Sequence, residues 1–243
     1  MKITEKINFK YADLKKYGPM TIVALGDSVT HGCFEPNAID YESVYWNVLR
    51  KKILDVRNYV PVNMICTAMG GTTAQESAER VDSQVINHDP DLVIVCFGLN
   101  DVNGELDVYI DSLREIFGKC QASGADVIFM TPNMLYTYVT DDVYEAYRDY
   151  AFVTAEMQNG GKMDLFMDSA VALANEMGVT VCDCYKKWKE LSETEDTTMM
   201  LENRINHPTS EMHKLFADML FETIFAGTDI VANAVGGGMV YDK

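Results

Sequence analysis

Basic residues are scarce in this chain. Its 243 residues include 20 Lys and Arg against 37 Asp and Glu, for a formal net charge of −17. Nucleic-acid backbones and anionic membranes select the opposite sign, so neither is expected as a partner. A strongly anionic substrate is disfavoured too, because the basic residues cluster only in short pairs such as Lys15-Lys16 and Lys51-Lys52. Long apolar runs are also lacking. The longest, Leu92–Leu99, is about eight residues. That is far short of the ~20 residues of a membrane-spanning helix, and it is the length of a buried strand. Met1–Lys10 carries charges throughout and has no apolar leader segment, so a cytoplasmic location is expected. The six cysteines (Cys33, Cys66, Cys96, Cys120, Cys182, Cys184) include no CxxC pair, and no histidine stands at zinc-finger spacing. Free thiols in a reducing compartment, and no metal, follow from that. No GxGxxG and no P-loop is present, and no cofactor is implied.

What is present is the composition of a folded α/β protein. Hydrophobic residues make up 48% and aromatics 10%, which excludes general disorder. A chain of this length buries roughly 70–75% of its unfolded surface and needs no disulfide. Short apolar runs alternate with amphipathic stretches. Strands are predicted at Met20–Leu25, Val60–Cys66, Leu92–Phe97, Asp126–Met130 and Val179–Cys182. Helices are predicted at Tyr41–Val56, Ala74–Ile86, Leu106–Ser123, Met163–Met177 and Glu211–Phe225. Strand–helix alternation implies parallel pairing with right-handed crossovers. Apolar strands without alternation imply a sheet covered on both faces. The expected architecture is one domain over 1–243, a three-layer α/β/α sandwich with about five parallel strands. Pro132–Gly161, rich in tyrosine, is a candidate pocket wall or surface insertion. Residues 227–243 read as a tail, loosely attached or packed on a second subunit, and a homo-oligomer stays open.

Ligands of open parallel sheets bind at the carboxyl ends of strands. Those ends carry Gly26-Asp27-Ser28, then Met69-Gly70-Gly71-Thr72-Thr73, then Gly98-Leu99-Asn100-Asp101. Asn206-His207-Pro208 precedes the last helix. A serine at a strand-to-loop turn can be a nucleophile if an imidazole takes its proton. A glycine N–H and an asparagine amide can hold the resulting oxyanion. These residues suit acyl transfer.

In these blocks the chain resembles the SGNH hydrolases, also called the GDSL lipase/esterase family, from about Thr21 to about Phe225. The resemblance implies a flavodoxin-like SGNH fold and ester hydrolysis. It makes Ser28 the nucleophile and His207 the general base. It makes Gly70, the Asn100 side chain and the Ser28 backbone N–H the oxyanion hole. One departure stands out. The family usually has an aspartate three residues before the histidine, and here that residue is Arg204. Glu202, Asn203 and Asp183 are alternative partners. A Ser-His dyad with a backbone carbonyl near Arg204 orienting the imidazole is the favoured reading.

Other polar residues have blander readings. Asp27 and Asp101 brace their loops, His213 packs in the last helix, and His31 has no geometric reason to be the base. Cys33 is a small packed residue near the site. The function expected is hydrolysis of short-chain acyl esters, with acetylated carbohydrates as the first substrate class. A thioesterase or lysophospholipase is the alternative within enzymes. A non-catalytic binding module that lost its acid is the alternative outside them.

Overall fold

The most apolar run becomes the middle of a sheet. In a computed structural model, which describes residues 2–35 and 38–229, the chain opens with helices α1 (Lys2–Lys6) and α2 (Tyr11–Tyr17). Strand β1 (Met20–Gly26) leads into the short helix α3 (Ser28–His31), then α4 (Tyr45–Val56) and β2 (Val62–Cys66). Helices α5 (Ala74–Ala78) and α6 (Val81–Gln84) precede β3 (Leu92–Cys96). Next come α7 (Leu106–Ala122), β4 (Asp126–Met130), α8 (Arg148–Asn159) and α9 (Lys162–Glu176). Strand β5 (Thr180–Cys182), α10 (Cys184–Leu191) and α11 (Ser210–Phe225) complete the described chain.

All five strands are parallel, in the order β2-β1-β3-β4-β5. Every residue of β3 is buried, as its run of Leu, Val, Ile, Val and Cys demands. The chain moves one way from β1 to β2 and the other way through β3, β4 and β5. Right-handed crossovers therefore place α4 on one face and α5, α7 and α9 on the other. The packing agrees: α4 lies against α11, while α7 lies against α5 and α9. The expected three-layer sandwich is the observed one. The reversal of direction falls between β1 and β3, which opens a crevice at their carboxyl ends.

Two glycines are required there. A Cβ on Gly26 would lie 2.7 Å from the Cys96 carbonyl oxygen and also strike Thr30. Gly98 has φ +140°, and a Cβ there would run into the Met167 side chain.

One predicted helix changes, and two helices appear that were not predicted. The single helix over Ala74–Ile86 is broken, because Arg80 turns inward at the break. Its guanidinium donates to the Thr67 carbonyl, to Ser77 Oγ at 2.9 Å and to Gln84 Oε1 at 2.7 Å. The segment Pro132–Gly161 holds a helix, α8, over Arg148–Asn159. Helix α10, too short to announce itself, is held by Trp188, which is fully buried. Most of the tail, residues 230–243, lies outside the described residues.

Candidate active site

Ser28 stands where β1 ends and α3 begins. Asp27 caps that helix, its Oδ1 accepting the Val29 N–H at 3.0 Å. The cap fixes Ser28 at the first helical position, and Gly32 ends the helix in the left-handed conformation, φ +88°. Ser28 is buried but for 7% of its surface.

His207 arrives from the other end of the chain, on a turn that one side chain organises. Asn203 Oδ1 accepts the backbone N–H groups of Ile205, Asn206 and His207 at 3.0, 2.9 and 2.9 Å. The Glu202 N–H closes the turn onto the His207 carbonyl at 2.7 Å. Asn133 Nδ2 adds a bond to the Asn206 carbonyl at 2.9 Å. Sequence reasoning considered Asn203 only as a partner of the imidazole; it acts on the backbone instead.

The two side chains meet. His207 Nε2 lies 3.0 Å from Ser28 Oγ, and His207 Nδ1 lies 3.2 Å from the Phe34 carbonyl oxygen. A carbonyl can only accept, so Nδ1 carries the proton and Nε2 is free to accept the serine O–H. That is the tautomer a general base needs. The orienting carbonyl expected near Arg204 is therefore that of Phe34, 173 residues away in sequence. Arg204 itself donates to Asp142 Oδ2 at 3.1 Å and to the Leu201 carbonyl at 2.5 Å. Asp183 caps α10 and accepts the Thr131 hydroxyl at 3.0 Å. No signal in the residue type pointed to Phe34, because every residue carries a carbonyl.

Burial pushes the His207 pKa down to about 4, against the raising effect of the Phe34 carbonyl. His213 is fully buried beside it and falls to about 3 for the same reason. Its Nδ1 accepts the Tyr45 N–H at 3.2 Å, and its ring packs 4.6 Å from that of Phe34. Asp27 and Asp101 rise to about 7 and about 6, chiefly through burial. Both brace backbone N–H groups, among them Val29 for Asp27 and Ala74 for Asp101 at 2.8 Å. Cys33 is raised above its ordinary value by burial and by Asp27, which keeps it a thiol.

Of the oxyanion candidates, Gly70 lies beside Ser28. A Cβ built on Gly70 would lie 3.9 Å from Ser28 Cβ. The Gly70 N–H donates to His31 Nδ1 at 3.2 Å. Asn100 Nδ2 donates to the Thr72 carbonyl at 3.1 Å, which ties the loop after β3 to the loop after β2. Beside His207 lies a cavity of about 220 Å³, walled by Tyr147, Tyr150, Asn203, Ile205 and Asn206. The tyrosine-rich segment thus contributes two residues to the pocket, while Tyr136 is buried in the core. Among the described residues, no group of three or more His, Cys, Asp or Glu is arranged for a metal ion. No described helix is long and apolar enough to cross a membrane.

Known structures share this arrangement of strands and helices. The acetylxylan esterase Axe2 of Geobacillus stearothermophilus superposes with a TM-score of 0.67 at 19% identity, covering 84% of this chain and 94% of its own. The acetyl xylan esterase AlAXEase gives 0.65 at 18% identity, covering 84% and 100%. LAE5, an alpha/beta hydrolase from the metagenome of Lake Arreo, Spain, gives 0.64 at 18%, covering 84% and 94%. At such identities the likeness speaks for the fold. No curated protein sequence matches the chain significantly. The model of the GDSL-like lipase/acylhydrolase family matches residues 24–215, a span that takes in Ser28, Gly70, Asn100 and His207. On that match the chain belongs to the GDSL-like lipase/acylhydrolase family, whose members hydrolyse esters.

Proposed function

We propose that this ester hydrolase works through Ser28 and His207 on short acyl esters, with acetyl groups on neutral carbohydrates as its substrates. The observation that carries the reading is the line from Ser28 Oγ through His207 to the Phe34 carbonyl, at 3.0 and 3.2 Å. Ser28 Oγ attacks the ester carbonyl carbon while His207 Nε2 takes its proton. The C=O electrons move onto oxygen, which faces the Ser28 N–H, the Gly70 N–H and the Asn100 amide. Collapse expels the alcohol, protonated by His207, and leaves an acyl-enzyme. Water, deprotonated by the same imidazole, then releases the acid. A neutral carbonyl holds the working tautomer but stabilises the imidazolium less than a carboxylate does. The negative charge forming on the oxyanion offsets part of that loss, since it lies close to the imidazolium in a buried site.

Several features support the substrate class. The cavity of about 220 Å³ is small beside ligand pockets of roughly 300–1,000 Å³, which favours a short acyl chain or a single sugar ring. Tyr147 and Tyr150 offer it aromatic faces. The net charge of −17 disfavours anionic thioesters and phospholipids. Two structural neighbours are acetylxylan esterases by name. The six free thiols fit a cytoplasmic setting.

Hydrolysis of p-nitrophenyl acetate, butyrate and octanoate by the wild type and by Ser28→Ala tests this. Turnover of acetate that Ser28→Ala loses by 10³-fold or more is the expected result. A preference for octanoate points to a lipid or thioester instead. Equal rates in both proteins remove Ser28 from the mechanism.

A further inference from the structure

One donor of the proposed oxyanion hole is already engaged within the protein. The Gly70 N–H, one of its three donors, is already given to His31 Nδ1 at 3.2 Å. A backbone N–H only donates, so Nδ1 is unprotonated and the proton sits on Nε2. Nε2 faces Tyr41 Oη at 3.4 Å, a long and weak contact. Tyr41 is 51% exposed, and its ring lies 6.2 Å from His31 and 6.3 Å from Trp46. The His31 imidazole therefore rests on an aromatic rim and not in the core. Its backbone is fixed, because α3 carries both Ser28 and His31 and the His31 N–H bonds the Asp27 carbonyl at 2.9 Å. Its side chain is partly exposed.

One N–H serves one good acceptor. An oxyanion must sit about 2.7–3.1 Å from each donor. The Gly70 N–H is instead directed at His31 Nδ1, at 3.2 Å. Asn100 differs. Its Nδ2 has two hydrogens, and the bond to the Thr72 carbonyl uses only one. A neutral ester carbonyl is a poor competitor for the Gly70 N–H, whereas a full oxyanion accepts charge-assisted bonds roughly twice as strong.

We propose that His31 is a displaceable acceptor that withholds the Gly70 N–H from the ground-state carbonyl and yields it as the oxyanion forms. The donor then acts in the transition state alone, and the bond to His31 is broken on the way there. The proposal rests on Ser28 being the nucleophile, as above.

Two measurements on the full chain test it. His31→Ala and His31→Phe both remove the acceptor, and Phe keeps the bulk of a ring. Each should raise kcat/KM for p-nitrophenyl acetate about three- to tenfold, partly through a lower KM, since a net hydrogen bond of ~1 kcal/mol no longer has to be broken. Labelling the wild type with diisopropyl fluorophosphate places a phosphoryl oxygen in the hole. In ¹⁵N spectra the His31 Nδ1 signal should leave its hydrogen-bonded position and the Gly70 amide should shift downfield. Variants no faster than wild type, or a labelled Ser28 with His31 unmoved, overturn the proposal and leave the esterase reading intact. Failure of Ser28 to label at all overturns both.

Discussion

Ser28 and His207 are 179 residues apart in the chain and 3.0 Å apart in the fold. The imidazole is buried, and burial lowers its pKa to about 4. It is therefore an unprotonated base from the weakly acidic range upward. The acid limb of kcat/KM, which reports the free enzyme, is expected near pH 4 and not near the ordinary histidine value of ~6.5. A pH–rate profile on p-nitrophenyl acetate between pH 3.5 and 8 checks this; a limb near 6.5 contradicts the burial argument. The proposed site was legible at this scale, because Ser28, Gly70, Asn100 and His207 lie in motifs that resemble the family's. The group that orients His207 was not. Arg204 marked the missing acid in the sequence, but a main-chain oxygen on Phe34 has no letter of its own.

At the scale of elements, short motifs aim the site. The turn that presents His207 depends on one amide oxygen, since Asn203 Oδ1 takes three N–H groups. Asn203→Ala leaves those donors without their partner. It should cost about 1–3 kcal/mol of stability, and kcat should fall 10- to 100-fold as the imidazole loses its aim. Asn203→Asp keeps an acceptor oxygen and should recover most of both, as urea unfolding and acetate turnover will show. Gly98 is a second pivot. With φ +140° and the Met167 side chain in the path of a Cβ, Gly98→Ala should lose about 2 kcal/mol or more. A urea midpoint equal to wild type would remove the steric claim. Long periodic helices such as α7 and the apolar strands were readable from spacing. The break at Arg80 was not, because it depends on the Thr67 carbonyl of another element.

For the whole molecule, buried titratable groups set the pH range of stability. His207 and His213 are depressed to about 4 and about 3. Their stabilising contribution is full above the unfolded value of ~6.5 and is lost as pH falls through the folded values. Asp27 is raised to about 7, so its contribution is present at low pH and lost as pH rises from ~4 towards 7. Between pH 6.5 and 4 acidification costs stability through the two histidines and gains it through Asp27 and Asp101, so the urea midpoint of the wild type should change far less than either pair alone dictates. Asp27→Asn keeps a capping side chain and removes the buried charge. It should stabilise the protein by about 1–3 kcal/mol at pH 8 and much less at pH 4. Equal gains at both pH values would show that the Asp27 carboxyl does not titrate in this range.

Sequence alone determined the class of fold, the parallel sheet and the family blocks that carry Ser28, Gly70, Asn100 and His207. The first two follow from hydrophobic periodicity, and the third from four short motifs in the family's order. Tertiary structure decided the rest: the Phe34 carbonyl behind His207, the Asn203 cradle beneath it, and the imidazole of His31 on the Gly70 N–H. Each is a contact to a backbone group, and backbone groups are the same at every position until the fold brings one of them within 3.2 Å of a side chain.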